Sequence, residues 1–140
     1  MKITIVLLVI ALVGGVAVFF MTSGTVTPQI SQEEFQEWMA SEDQPILLDV
    51  RTANEFAKGH VPGARNISHD LLAGKLVELG FDKAQPIVVY CRSGRRAGIA
   101  EDILRDAGFT NLKHLDGDML GWQNSGLKVE QIVAPIPTSS

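Results

Sequence analysis

The chain has 140 residues and a formal net charge of −4, and charged residues make up 20% of it. This length allows one domain with its own core once any targeting segment is set aside. The acidic balance argues against a general nucleic-acid-binding protein. A single cysteine excludes a disulfide framework within the chain, and the three histidines, His60, His69 and His114, are scattered, so we expect no metal site and no cofactor.

An uncharged apolar run dominates residues 1–21. It extends from Ile3 to Met21, close to the ~20 residues that a helix needs to cross a bilayer. A secretory signal has a shorter apolar region that ends in small residues, so an uncleaved membrane anchor is favoured over a cleaved signal. Because Lys2 precedes the run and no basic residue follows before Arg51, we expect the domain on the outer side of the membrane, the periplasm in a Gram-negative cell. Signal cleavage would instead give a secreted or periplasmic protein.

A short linker is predicted at residues 22–29, which are small and polar and include a proline. The domain is predicted at 30–130. It opens with Ser31 to Glu34, which have the spacing of a helix-capping box. Phe35 and Trp38 follow at helical intervals, so we expect a first helix whose aromatic side chains pack in the core.

A first buried strand is predicted at Ile46 to Val50, an apolar run without polar alternation. Asp49 lies within this run and Arg51 follows it directly. A buried carboxylate near the end of a strand needs a cationic or amide partner. The two charges therefore either serve a site or tie loops together.

A second capping box is predicted at Thr52 to Glu55, and Gly59 is placed to end the short helix that follows. His60 to Ala64 form a predicted turn, and residues 65–67 a brief strand. Within that turn we interpret His60 as a structural hydrogen-bonding residue in preference to an acid or a base.

The second half of the domain continues the alternation of helices and strands. Ser68 is placed to cap a helix that ends at Gly80, and Pro86 introduces a second buried strand at Ile87 to Tyr90. Another helix follows, and then a strand at Leu112 to Leu115.

Such alternation predicts an α/β fold with a central parallel sheet and helices on both faces. Residues 131–140 contain two prolines and no periodicity, so we expect an extended tail.

A basic loop separates the second buried strand from the next helix, with the sequence Tyr90-Cys91-Arg92-Ser93-Gly94-Arg95-Arg96-Ala97. The first amides of a helix carry partial positive charge, which favours a thiolate over a thiol. A lone cysteine at the end of a buried strand is commonly an inert apolar residue. However, three arginines in one turn would repel one another unless an anion is held there. We therefore interpret Cys91 as a reactive nucleophile and the loop as a site for a small anion.

With these elements placed, the sequence resembles the single-domain form of the rhodanese family from Ile30 to Leu127. The order and spacing of several short motifs carry the resemblance. They are Leu48 to Arg51, Glu55-Phe56, Gly59 to Ala64, Val89 to Arg96 and Leu115 to Trp122.

The resemblance implies a sulfurtransferase in which Cys91 carries sulfane sulfur as a persulfide. The implied donor is thiosulfate or a related small anion, and the acceptor is cyanide or a thiol. Asp49, Arg51 and His60 are assigned supporting roles. Donor binding is assigned to the loop amides and arginine side chains, that is, to Arg92, Ser93, Gly94, Arg95 and Arg96.

Two other functions stay open. Dual-specificity cell-cycle phosphatases resemble this family in fold and carry a cysteine, five residues and then an arginine. Here that arginine position is Ala97, and the loop ends one residue earlier at Arg96, a length that favours sulfur over phosphoryl or arsenyl chemistry. Tyr90 also stands where those phosphatases carry histidine. The other alternative is a persulfide relay or sensory module that docks to a protein partner and turns over little thiosulfate.

Overall fold

The computed structural model describes residues 25–133. The five strands form one parallel sheet. In chain order the elements are β1 (Gln29–Ile30), α1 (Gln32–Met39), β2 (Ile46–Asp49), α2 (Ala53–Lys58), β3 (Arg65–Asn66), α3 (Leu72–Leu79), β4 (Ile87–Tyr90), α4 (Arg95–Asp106), β5 (Leu112–Leu115) and α5 (Asp118–Asn124). The strand order is β1-β5-β4-β2-β3. The predicted parallel α/β sheet is confirmed.

Two apolar clusters cover the two faces of the sheet. Successive residues of a strand point to opposite faces, so Ile87 and Val89 of β4 join one cluster, whereas Val88 and Tyr90 join the other. Residues of α3 and α4 complete the first cluster, and residues of α1 and α5 complete the second. Helices therefore lie on both faces, and this is why the central strands are apolar without alternation.

The predicted helix ends are mostly confirmed. Ser31 and Glu34 form a capping box, as do Thr52 and Glu55. The prediction for Ser68 was wrong. Helix α3 begins at Leu72 without a side-chain cap, and Ser68 Oγ instead donates a hydrogen bond to the Asp70 carboxylate.

Strand β1 begins inside the predicted linker. Gln29 pairs with His114 of β5, and Ile30 pairs with Leu115. Just before β1, Thr27 is buried, and its Oγ1 accepts a hydrogen bond from Arg105 Nη2 at 2.7 Å. The chain is therefore attached to the amino edge of the sheet before its first strand begins.

The predicted anchor at residues 1–21 lies outside the described residues, as do residues 134–140 of the predicted tail. Within residues 25–133, no helix has both the length and the apolar character needed to cross a bilayer. Gln131 Nε2 donates to the Lys58 carbonyl oxygen at 2.9 Å, so the first tail residue contacts the end of α2.

The strand order opens a crevice at the carboxyl edge of the sheet. The chain leaves β2 towards β3, whereas it leaves β4 towards β5 on the opposite side. Open α/β sheets bind ligands where two such connections diverge. Arg51 follows β2 and Cys91 follows β4, so both lie at this crevice.

Candidate active site

Cys91 is 1% exposed and packs in the apolar cluster beneath α3 and α4. Its Sγ accepts a hydrogen bond from the Gly94 amide at 3.0 Å. Gly94 is the residue before α4 and has a φ of 109°, in the left-handed region where glycine is favoured. This conformation turns the amide back towards the sulfur, where it can stabilise negative charge.

The first turn of α5 holds the start of the loop. Asp118 Oδ1 accepts the Cys91 amide at 2.8 Å. The Met119 amide donates to the Cys91 carbonyl at 3.0 Å, and the Leu120 amide donates to the Arg92 carbonyl at 3.1 Å. The backbone on both sides of the sulfur is therefore fixed by contacts from outside the loop.

Arg96 holds the far end of the loop. Its Nη1 and Nη2 donate to the two carboxylate oxygens of Glu55 in α2, at 2.7 and 2.9 Å. These hydrogen bonds are the largest cause of a pKa of about 2 for Glu55. Because Arg96 is paired in this way, the exposed loop residues Arg92, Ser93 and Arg95 are better placed to meet an incoming anion.

Glu55→Gln is expected to lower the free energy of unfolding near neutral pH by about 1 kcal/mol or less, because an amide offers only one acceptor to Arg96. The folded protein lowers the pKa of Glu55 from 4.5 to about 2. The contribution of Glu55 is therefore complete above pH 4.5 and is lost as the pH falls through about 2. Urea unfolding at several pH values should show the difference between wild type and variant shrinking across this window.

A matched control is Asp102→Asn, which alters the more exposed pair that Asp102 makes with Arg105. This variant should change stability less at every pH. A Glu55→Gln difference that stays constant from neutral to acid pH would contradict the expected linkage.

Asp49 and Arg51 pair with each other. Asp49 is fully buried, and its carboxylate accepts from Arg51 Nη2 at 2.6 Å and from Arg51 Nε at 3.0 Å. Arg51 Nη2 also donates to the Gly59 carbonyl at 2.8 Å. Of the two roles that the sequence left open, the observed contacts are those of a pair that ties loops together.

His60 and Tyr90 both make structural contacts. His60 stacks on Phe56 with the ring centroids 3.7 Å apart, and its Nδ1 lies 2.8 Å from the Phe56 carbonyl oxygen. The Tyr90 hydroxyl accepts the Val61 amide at 3.1 Å within the second apolar cluster. Burial and then the charge of Asp49 raise the pKa of Tyr90 well above its ordinary range. Tyr90 and Cys91 belong to clusters on opposite faces of the sheet, so the tyrosine is not aimed at the sulfur.

A cavity of about 220 Å³ adjoins the loop. Arg92 and Lys58 give it positive charge, and Met119 and Leu120 give it an apolar wall. The Glu55 carboxylate also lines it but is paired with Arg96. Hollows of about 340, 360 and 420 Å³ occur elsewhere in the domain, but no residue of the loop from Cys91 to Arg96 lines them, whereas Arg92 lines the cavity of about 220 Å³. The cavity beside the loop is therefore the one suited to a small anion near Cys91.

The family model of the rhodanese-like domain matches residues 31–125. The chain belongs to the rhodanese-like family. A sulfurtransferase from Allochromatium vinosum is 32% identical over 107 residues, covering 76% of this chain and 95% of that protein. Thiosulfate sulfurtransferase GlpE from Pseudoalteromonas translucida is 31% identical over 94 residues, covering 67% and 87%. The human single-domain sulfurtransferase TSTD1 has a TM-score of 0.62 and 25% identity, covering 71% of this chain and 97% of that chain.

Sequence reasoning missed a buried polar cluster behind the loop of this rhodanese-like domain. It consists of Glu101, His114 and Asp118, which hydrogen-bond in that order. One signal was present in the sequence. Glu101 falls on the apolar stripe of α4 formed by Ala100 and Leu104, where a charged residue indicates a buried partner.

Proposed function

We propose that this rhodanese-like protein is a sulfurtransferase that moves sulfane sulfur from thiosulfate, or a related small anionic donor, to cyanide or a thiol. The sulfur is carried as a persulfide on Cys91. The observation that carries this proposal is the Gly94 amide aimed at Sγ from 3.0 Å at the start of a 12-residue helix. A sulfur that only filled space in the core would not need a donor directed at it.

The chemistry consists of two displacements at sulfur. In the first, the Cys91 thiolate attacks the outer sulfur of thiosulfate. A bond forms between Sγ and that sulfur, the S–S bond of thiosulfate breaks, and sulfite leaves with the bonding electron pair. In the second, cyanide or a thiolate attacks the outer sulfur of the persulfide, and the Cys91 thiolate is released.

Burial and charge together favour a small donor. Cys91 is 1% exposed, so only a slender group can approach Sγ. The outer sulfur of thiosulfate is such a group, and it projects from a charged sulfonate. Arg92 and Lys58 line the adjoining cavity, where they would attract that charge.

The same geometry argues against phosphoryl transfer. In that chemistry most of the catalysis comes from groups that surround the equatorial oxygens of the phosphoryl group. Arg96, the last arginine of the loop, is instead engaged by both carboxylate oxygens of Glu55. Its guanidinium is therefore already paired where a phosphatase would need it for the substrate.

We also propose that residues 1–21 anchor the domain to a membrane. The described chain joins the sheet at its amino edge, where Thr27 contacts Arg105. Cys91 lies at the opposite, carboxyl edge, because it follows a strand parallel to β1. An anchored domain would therefore turn its reactive loop away from the bilayer.

The test is to incubate the full chain, purified in detergent from its native membrane, with thiosulfate and then with cyanide. We expect the intact mass to rise by one sulfur atom and cyanide to remove that sulfur as thiocyanate. The starting mass also shows whether residues 1–21 are retained. No sulfur uptake and no thiocyanate would contradict sulfur transfer, whereas uptake without turnover on cyanide would identify a relay.

In the same assay, Arg92→Gln tests the charge of the donor. The KM for thiosulfate should rise roughly two- to fivefold at low salt and less at high salt, because the side chain is exposed. Arg65→Gln is the matched control, since Arg65 is an exposed arginine on edge strand β3 that contacts the Phe81 ring. Equal changes in the two variants would contradict donor binding at Arg92.

A further inference from the structure

Three charged or titratable side chains lie behind the reactive loop, and the sulfur-transfer steps use none of them. His114 of β5 lies between two carboxylates. Its Nε2 is 3.0 Å from Asp118 Oδ2, and its Nδ1 is 2.6 Å from Glu101 Oε1. Asp118 is 4% exposed and Glu101 is 6% exposed. Three elements of the fold, α4, β5 and α5, therefore each contribute one member of a buried network.

This network touches the loop at the two residues that define the position of the sulfur. Asp118 Oδ1 accepts the amide of Cys91 at 2.8 Å. A Cβ atom on Gly94 would lie 3.3 Å from Asp118 Oδ2 and 3.8 Å from His114 Cε1. Gly94 is also the residue whose amide donates to Sγ. One carboxylate thus lies against both ends of the turn that brings the amide to the sulfur.

His114 fixes the orientation of that carboxylate. Hydrogen bonds to Asp118 and then to Glu101 raise the pKa of His114 to about 10, so both ring nitrogens donate at neutral pH. The neighbouring strands β1 and β4 place the uncharged Gln29 and Val89 beside it. Glu101 from α4 and Asp118 from α5 are thus the charged groups that hydrogen-bond to the imidazolium ring.

We propose that His114, backed by Glu101, is a positioning residue that acts through Asp118 on the turn from Cys91 to Gly94. Asp118 adopts a φ of 54°, a left-handed conformation that costs energy for a residue with a side chain. The hydrogen bonds that Asp118 makes with Cys91 and His114 explain why an aspartate occupies this position in place of a glycine. The kinetic readout of this inference rests on the proposed function, but the position of the loop can be measured without turnover.

Two substitutions at Asp118 separate positioning from folding. Asp118→Gly removes the acceptor for the Cys91 amide, and glycine adopts the left-handed conformation readily, so the fold should persist. Asp118→Asn keeps an oxygen for that amide and tolerates the same backbone. Its NH₂ group can donate to His114 Nε2 while His114 Nδ1 still donates to Glu101. The asparagine variant therefore preserves the geometry with an uncharged imidazole in place of the imidazolium, while Glu101 keeps its charge.

The experiment measures kcat/KM for thiosulfate together with amide hydrogen exchange of Cys91 and Gly94 by NMR, on the full chain in detergent. Asp118→Gly should lower kcat/KM about tenfold and speed exchange at both amides, and Asp118→Asn should restore both. Adding His114→Gln to Asp118→Gly should cause no further loss, because His114 acts through Asp118.

Three results would overturn the proposal. The first is that Asp118→Gly keeps the wild-type kcat/KM and the wild-type amide exchange rates. The second is that kcat/KM falls as far in Asp118→Asn as in Asp118→Gly. The third is that the losses of kcat/KM caused by His114→Gln and by Asp118→Gly multiply in the double variant. If the wild type transfers no sulfur, the proposed function fails, and the exchange rates at Cys91 and Gly94 alone decide whether the network positions the loop.

Discussion

Cys91→Ser is expected to lower the rate of thiocyanate formation from thiosulfate and cyanide by at least about a thousandfold. A serine hydroxyl cannot form a persulfide, so the sulfur atom has no covalent carrier. The serine hydroxyl can still accept a hydrogen bond from the Gly94 amide, which in the wild type donates to Sγ at 3.0 Å. The substitution thus removes the nucleophile and leaves the hydrogen bond that shapes the loop.

Cys91→Ala separates the carrier role from the loop contact. Alanine loses both the nucleophile and the acceptor for Gly94, yet the rate should be as low as with serine if the covalent step is what matters. Urea unfolding of both variants serves as the folding control, because Cys91 packs in the apolar core. Thiocyanate formation at the wild-type rate in either variant would rule out the persulfide.

The sequence predicted the strand and the loop that hold Cys91 well because their signals are local. The strand from Ile87 to Tyr90 is an unbroken apolar run, and the glycine, arginines and single cysteine follow within a few residues. Strand β1 was harder to predict, because Gln29 and Ile30 are too few to show a period and are held by pairing with β5. Strand β1 forms because it hydrogen-bonds to its neighbour in the sheet, and no local sequence pattern shows such pairing.

At Ser68 the sequence predicted a helix cap that the structure does not contain. A serine before a run of leucines resembles a helix cap, but its hydroxyl bonds to Asp70, two residues away. Serine side chains that bond locally favour turns as readily as caps. The helix consequently begins at Leu72, and the pattern alone could not choose between the two conformations.

The partners of the loop could not be predicted, because they are distant in sequence. Glu55 reads as the end of a capping box, which it is, but it also receives Arg96 from 41 residues away. Asp118 contacts the amide of Cys91 across 27 residues. Composition had indicated free positive charge in the loop. The structure corrects this prediction, because Arg96 is paired with Glu55 and holds the loop in place. The positive charge available to an anion therefore lies at the exposed residues Arg92 and Arg95.

Asp49→Ala is expected to lower the free energy of unfolding by about 3–5 kcal/mol, because it leaves a buried guanidinium without its counter-charge. The Arg51 side chain is 7% exposed. In the variant, Arg51 Nη2 and Nε lose their hydrogen bonds to the Asp49 carboxylate, at 2.6 and 3.0 Å. The Arg51 backbone amide also loses its hydrogen bond to Asp49 Oδ1, at 2.9 Å. The remaining contact from Arg51 to the Gly59 carbonyl cannot neutralise the charge.

The double variant Asp49→Leu, Arg51→Met tests whether the loss comes from the unpaired charge. Replacing a buried ion pair by apolar residues is often close to neutral, so this variant should be more stable than Asp49→Ala in urea unfolding. A double variant that is no more stable would instead indicate that the lost hydrogen bonds, and not the buried charge, determine the cost. Either result concerns the site, since Arg51 ties the end of β2 to Gly59, and both residues line the cavity to which the loop residue Arg92 contributes.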